Sequence, residues 1–378
     1  MNTYPFLKKT FLNILENSRS VGPNTGWQPA HIHIDGSPQV DGAPQVDATP
    51  QTPNKPKTSA FMPTYIKTHS WGEYVFDWAW ADAYQRNGLD YYPKLLSAIP
   101  FSPTTGPRVA LSGDGQSPCA VTCRALFQEI QDLAEAEKAS GWHLLFPDAD
   151  TLEAFAHPDL MLRTGVQYHW INRNYTCFAD FLASFTSRKR KMVNRERRRI
   201  KEQGIQVQVL EGPEIPPSLW AFFFRLYQST YHKRSGSDGY LTPDFFTQLG
   251  ESMPEHVAMA VASIDGEHLA CALYLHDSET LYGRYWGCTA EYDYLHFELC
   301  YYQGIEYAIR RGLQRFDAGA QGEHKVLRGF EPVKTHSLHW IRHPGFAQAI
   351  AGFLAQETQE INRHINQASA VLPYKQNT

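Results

Sequence analysis

Asp317, Glu323, His324, Lys325 and Arg328 fall within twelve positions of the stretch RFDAGAQGEHKVLRGFEP, interleaved with Gly319, Gly322 and Gly329. Side chains of these types can move a proton, through His324 or a carboxylate, or grip an anion, through Lys325 and Arg328. His324 has the intrinsic pKa best suited to proton transfer near neutrality. The glycines permit positive φ or a close backbone approach to a ligand, and Gln321 adds an amide between them. The ordinary alternative is a turn with surface salt bridges. Two neighbouring stretches add candidates. Arg284 lies between Tyr282 and Tyr285 in a strand-like run and needs a partner, whether Glu298, Asp317 or a substrate anion. Glu298 shares a helix face with Tyr302 and Glu306 at i, i+4 spacing.

These residues must be positioned by the elements around them. TLYGRYWG reads as a strand, LHFELCYYQGIEYAI as a helix with one apolar and one polar face, RFDAGA as a second strand and THSLHWI as a third. Before them come the strands QVQVL, HVAMAVASI and HLACALYLH and a helix over 218–231; a helix over 346–368 follows. The first half shows the same grammar: helices over 77–86, 118–140 and 151–156, the extended run YYPKLLSAIPF and the strands WHLLFP and RTGVQYHWIN. The N-terminus places Phe6, Phe11, Leu12, Ile14 and Leu15 at helical spacing among lysines, which reads as an amphipathic helix and not a signal peptide. Two α/β halves result, divided at 177/178. Residues 35–60 repeat Pro-Gln-Val-Asp and hold almost no large apolar side chain, so they read as a disordered insertion at the tip of a hairpin.

The join, FADFLASFTSRKRKMVNRERRRIKEQGI, concentrates charge. Nine bases and the single acid Glu196 lie between 188 and 201; removing them from the chain's 35 Lys+Arg and 39 Asp+Glu leaves 26 bases against 38 acids. Such segregation points to an anionic partner, a phosphate-bearing ligand or a nucleic-acid backbone, against the plainer reading of a solvated face. The near-neutral whole excludes a global field toward nucleic acid or membrane. The six cysteines include no CxxC pair, which argues against a zinc ribbon or disulfide scaffold. No run reaches the ~18 apolar residues of a membrane span, so the expectation is a soluble, cytoplasmic protein.

The strand, helix, Asp-bearing strand and basic loop of the second half resemble the C-terminal part of a GNAT-type acyltransferase of the Fem branch. HSWGEYVFDWAWADAYQRNGLDYYPKLL, LYGRYWG, LHFELCYYQGIEYAI and GAQGEHKVLRGFEP further resemble the FemAB-like group of peptidoglycan biosynthesis or recognition proteins, over nearly the whole chain outside the insertion. The resemblance implies an α/β fold of two tandem GNAT-like domains, 1–177 and 178–378, with mixed central sheets flanked by helices, the second opening on the basic helix. It implies transfer of an acyl or aminoacyl group to an amine acceptor, from acyl-CoA or aminoacyl-tRNA, with a peptidoglycan precursor as acceptor and tRNA as a partner.

By the same resemblance Asp317 stands where Fem-type enzymes carry an Asp at a strand end, and Lys325 and Arg328 fall near the basic position of the next loop. Arg190, before Met192-Val193, resembles the Fem-type Lys-x-Arg-x-x-Ile stretch whose Arg helps hold the phosphates of a nucleotide-linked precursor; Lys191 adjoins it. Glu73 and Lys94 then line an acceptor cleft. One departure stands out: where acetyl-CoA-dependent GNAT proteins place a glycine-rich pyrophosphate loop, this chain reads GCTAEYDYLHFE. The expected proton acceptors are Glu323, His324, Asp317 and Glu298, and the expected substrate contacts are Arg284, Gln321, Lys325, Arg328, Glu73 and Lys94. Recognition of a precursor without turnover is the competing expectation.

Overall fold

The computed structural model describes residues 4–36, 58–112, 117–320 and 322–375. They form two compact units, each built from separate segments: Val21–Gly165 with Thr335–Thr358, and Thr3–Ser20 with Val166–Lys334 and Gln359–Thr378. The units therefore do not follow one cut at 177/178. Residues 4–20, with helix α1 (Lys9–Asn17), belong to the second unit, and 335–358 belong to the first.

The first unit holds β1 (Trp27–Pro29), β2 (Ile32–Ile34), β3 (Ala60–Met62), β4 (Thr64–Lys67), α2 (Trp78–Arg86), β5 (Lys94–Ser97), β6 (Ala110–Leu111), α3 (Ala120–Ala136), β7 (Gly141–Leu145) and α4 (Ala149–Ala154). Its main sheet runs β1-β4-β5-β7 and continues into β14 (Glu331–Ile341). Only β5 and β7 are parallel; β1/β4, β4/β5 and β7/β14 are antiparallel. The parallel pair needs a crossover, which α3 supplies by packing Leu126, Phe127 and Ile130 on Leu95, Trp142 and Leu144. Each such side chain, fully buried, contributes about 1.5–3 kcal/mol. The hairpin expected around the Pro-Gln insertion is present as Ile32↔Met62 and Ile34↔Ala60; residues 37–57 of the insertion lie outside the described residues.

The second unit holds β8 (Met161–Ile171) from Val166 on, α5 (Phe178–Ala183), α6 (Ser187–Glu202), β9 (Gln206–Glu211), α7 (Pro217–Ser235), α8 (Pro243–Ser252), β10 (Val257–Ile264), β11 (Glu267–His276) and β12 (Thr280–Cys288). After β12 a helix starts as α9 (Leu295–Phe297), widens into a π-turn (Glu298–Tyr302) and continues as α10 (Gln303–Arg310), before β13 (Arg315–Asp317). The final helix, α11 (Pro344–Ala370), begins in the first unit and ends in the second. The sheet order is β8-β13-β12-β11-β10-β9, mixed like the first, with β12/β13 as its one parallel pair among the described strands. Each unit thus carries one parallel pair bridged by a helix, and the α/β class with mixed sheets flanked by helices is what both display.

Local sequence explains most boundaries. Helix α7 starts on Pro217 and stops at Gly236, whose φ of 67° ends the helix in the left-handed conformation. Helix α8 was not read from the sequence, although Thr242 accepts from the Phe245 N–H and Pro243 follows it, a standard start signal. The basic join forms two helices: α5 buries Phe178, Phe181 and Leu182, and α6 buries Val193, Glu196 and Ile200 along one stripe. Among the described residues no helix is long and apolar enough to cross a membrane.

Candidate functional site

The second unit's sheet opens at one place. Strands β12 and β13 pair in parallel at Thr280↔Arg315, Leu281↔Phe316 and Tyr282↔Asp317, and there the pairing ends. β13 stops at Asp317, whereas β12 runs on to Cys288, held by β11 on its other edge. The register between β11 and β12 jumps from Leu273↔Tyr285 to Tyr274↔Gly283, which leaves Arg284 as the extra residue of a β-bulge. A bulge bends a strand and re-aims its side chains. The two strands therefore part around Gly283 and Arg284 and expose a stretch of β12 edge. Gly283 lets the two chains run close up to this point: a Cβ there would sit 3.3 Å from the Ala318 Cα.

Asp317 closes the end of β13. It is 1% exposed; Oδ1 accepts from the Gly319 N–H at 2.8 Å and lies 3.7 Å from Nε2 of His169, while Oδ2 accepts no hydrogen bond from a described residue. A buried carboxylate oxygen without a donor is costly and marks a group available to a ligand, a water or a proton. Lys325 lies beside it, buried, and donates to the Gly319 carbonyl at 2.6 Å. Burial pushes its ammonium pKa down to about 8, opposed by the Asp317 charge. Gly319, at φ 86°, provides the turn that lets both groups meet its backbone.

His324 accepts or donates a 2.7 Å hydrogen bond with the Tyr301 hydroxyl and packs against the rings of His296, Phe297 and Tyr301. Partial burial and the charges of Arg328 and Lys325 hold its pKa below the ordinary range. His296 is driven to about 3 by burial, with His324, Arg234, Lys325 and Arg328 adding to the effect. The π-turn at 298–302 widens the helix carrying these groups, and such turns concentrate at functional sites.

The structure draws other expected residues elsewhere. Arg328 turns inward: Nη2 and Nε reach Glu196 at 2.8 and 3.2 Å, Nε meets the Tyr302 hydroxyl at 3.0 Å, and the guanidinium sits 3.4 Å over Phe297. Its charge is satisfied by Glu196 of α6, and it serves there as a structural cation in place of the expected substrate contact. Glu298 is held by Arg197 at 3.0 Å and Gln303 at 2.8 Å, so this carboxylate has internal donors where a free proton acceptor was expected. Glu323 is a surface residue with its side chain 80% exposed, 4.0 Å from His364. Arg284 sits over the Phe6 and Tyr285 rings. Gln321 lies outside the described residues.

Arg190 and Lys191 lie on the outer side of α6 and, like Arg188, Lys189 and Arg195, make no ion pair to a described residue. Further along the helix, Arg197, Arg198 and Arg199 are paired with acids. The helix thus combines both sequence readings, a bridging half and a solvated cationic half.

Glu73 and Lys94, the residues expected at an acceptor cleft, are interior residues. Both are buried within the first unit, where Lys94 donates to Ser70 and Glu73 at 2.8 Å each and also to Asp77. Lys67, directly opposite Lys94 across the β4/β5 ladder, lies 3.9 Å from Glu73. Asp77 accepts from Tyr91, which contacts His143, which contacts His339 at 2.7 Å. Burial drives Lys67 down to about 6 and Glu73 up to about 7, whereas Lys94 holds Asp77 at about 2 against its own desolvation. The sequence reading missed this network and also missed His169, His296 and Tyr301. His169 could have been found only by knowing that its strand pairs with the one bearing Asp317.

Comparison with known proteins follows from this geometry. The model of the FemAB-like family, described as peptidoglycan biosynthesis/recognition, matches residues 1–376. No curated protein sequence matches. Solved structures with similar coordinates include FemX (13% identity, 91% of this chain and 93% of that one, TM-score 0.48). L-PGS from Bacillus licheniformis gives 13% identity over 78% and 86% of the two chains, with a TM-score of 0.46. A tandem GNAT protein from the clavulanic acid biosynthesis pathway gives 11% over 75% and 84%, with a TM-score of 0.36. On the match across its whole length, this chain belongs to the FemAB-like family of peptidoglycan biosynthesis/recognition proteins.

Proposed function

We propose that the chain is a cytoplasmic N-acyltransferase of two GNAT-like domains that joins an acyl or aminoacyl group to an amine of a peptidoglycan precursor, where β12 and β13 part. The observation that carries this reading is the parting itself: β12 extends beyond Tyr282↔Asp317 with no β13 partner, beside a buried carboxylate that has one oxygen free of described donors. In amide formation the amine nitrogen bonds to the donor carbonyl carbon and the carbonyl oxygen gains negative charge. The amine then loses a proton as the donor's thiolate or ribose oxygen leaves. Backbone N–H groups of the β12 edge are suited to that oxyanion. Asp317 Oδ2 takes the proton, and the Lys325 ammonium balances negative charge on the donor or the oxyanion.

The donor is acyl-CoA or aminoacyl-tRNA, with the free cations at the start of α6, Arg190 and Lys191 among them, available to its phosphates or to those of a nucleotide-linked acceptor. His324 is a positioning residue that fixes Tyr301 beside the opening. Glu298 and Glu323 have no part in the chemistry.

A second reading, binding of a peptidoglycan precursor or other anionic metabolite without turnover, is favoured by the internal bonding of Glu298 and His324, which leaves fewer proton acceptors than the sequence suggests. Purified protein incubated with acyl-CoAs or charged tRNAs and amine-bearing precursors, read by mass spectrometry, separates the two. Transfer adds one acyl mass to the acceptor; saturable binding with no mass change supports recognition alone.

A further inference from the structure

The second unit has a concavity that shares no residue with the strand opening. It is a cavity of about 350 Å³ between α6 and α10, over β9. Its floor is branched aliphatic: Ile200, Ile205, Val207 and Val209. Val207 and Val209 are alternate residues of β9, so the period of two turns both toward the cavity.

The walls carry both signs of charge. Arg197 donates to Glu298 at 3.0 Å and to Glu306 at 2.8 Å, and Gln303 completes Glu298 at 2.8 Å. Arg310 lies 3.5 Å from Glu211. Lys201 also lines the cavity and makes no ion pair to a described residue. Arg197 is taken up by Glu298 and Glu306, and Arg310, together with Arg311, faces Glu211 outside the lining, which leaves Lys201 as the lining cation with no acidic partner among the described residues. An apolar ligand would cover Lys201 without a partner, at a desolvation cost. A simple anion would meet Lys201 but crowd the two carboxylates on Arg197. A small zwitterion suits all three features: a carboxylate at Lys201, an ammonium at the oxygen of Glu306 not used by Arg197, and an aliphatic branch on the valine floor. The volume lies at the lower end of the ~300–1,000 Å³ typical of small-molecule sites.

We infer that this cavity binds a free α-amino acid with a branched aliphatic side chain, at a site separate from the one proposed for transfer. Calorimetric titration of the full chain with L-leucine, L-valine, 4-methylpentanoate and 3-methylbutylamine tests it. The amino acids bind saturably, and each half-molecule binds at least about tenfold more weakly. Val209→Trp, which fills the floor, abolishes binding; Lys201→Glu weakens it at least about tenfold, and Arg195→Ala on the same helix leaves it unchanged. Thermal unfolding without ligand shows which variants are folded, and Lys201→Glu, an exposed change, serves if Val209→Trp is not. The inference is overturned by absence of saturable heat with either amino acid, by 4-methylpentanoate binding as tightly as leucine, or by a folded Lys201→Glu variant that binds as the wild type does. Binding is read without any transfer step, so failure here and failure of the acyltransferase reading are distinguishable.

Discussion

Arg328 and Glu196 meet in the interior of the second unit through two hydrogen bonds, 2.8 Å between Nη2 and Oε1 and 3.2 Å between Nε and Oε2. The pair ties the loop after β13 to α6, and Tyr302 joins both residues. Removing one partner strands the other charge. Arg328→Leu or Glu196→Leu should each destabilise the protein by about 3–5 kcal/mol in urea unfolding, whereas the double variant should recover much of that loss.

Gly329 follows that loop at φ 89°, and a Cβ there would meet Phe181, Phe185 and Tyr374 at 2.9–3.0 Å. Gly329→Ala combines an unfavourable backbone region with a collision against packed rings. A loss of about 1–3 kcal/mol is expected in thermal unfolding, with Gly266→Ala, in open space, costing less.

The buried network of the first unit gives a pH signature. Burial lifts Glu73 to about 7 in the folded state against 4.5 for an ordinary carboxyl, so the folded state binds the extra proton between these values and stability falls as pH rises through them. Lys67 titrates near 6 against 10.5, so the unfolded state binds the extra proton above pH 6 and stability rises from there toward pH 10.5. Urea midpoints measured from pH 4 to 10 should lose the falling limb in Glu73→Gln and most of the rising limb, all of it between pH 6 and 8, in Lys67→Met. Unchanged profiles in both variants would refute the assigned shifts.

Lys325 adds to the same rise in a narrower window. With its folded value near 8 and the ordinary lysine value at 10.5, the cost of burying the charge is present below pH 8 and is relieved as pH climbs to 10.5. Lys325→Met should flatten that part of the stability profile.

Much of this was legible in the sequence because period and caps are local signals. Strand β12, the helix over 295–310 and strand β13 all lie where alternation and i, i+4 spacing put them. Asp317 and Lys325 could be marked from their types and neighbours alone. What local reading could not supply was pairing. Glu196 and Arg328 are 132 positions apart, and nothing in RERRRIKE says that Glu196 faces inward to meet a distant arginine. The family resemblance alone puts Glu73 and Lys94 at an acceptor cleft, and no local signal shows that the β4/β5 register buries Lys67 and Lys94 side by side and obliges two carboxylates to follow. The parting of β12 from β13 depends on a one-residue bulge that composition does not announce.

The central claim concerns Asp317, and single-turnover acyl transfer by Asp317→Asn tests it most directly. Once a donor and an amine acceptor are in hand, the rate is measured for wild type and variant at equal occupancy, with thermal unfolding as the check on folding. The account predicts a fall of about 10²–10⁴-fold in the transfer step with little change in donor binding, because the amide keeps the shape and cannot take the proton. A folded Asp317→Asn variant that transfers at the wild-type rate would contradict it.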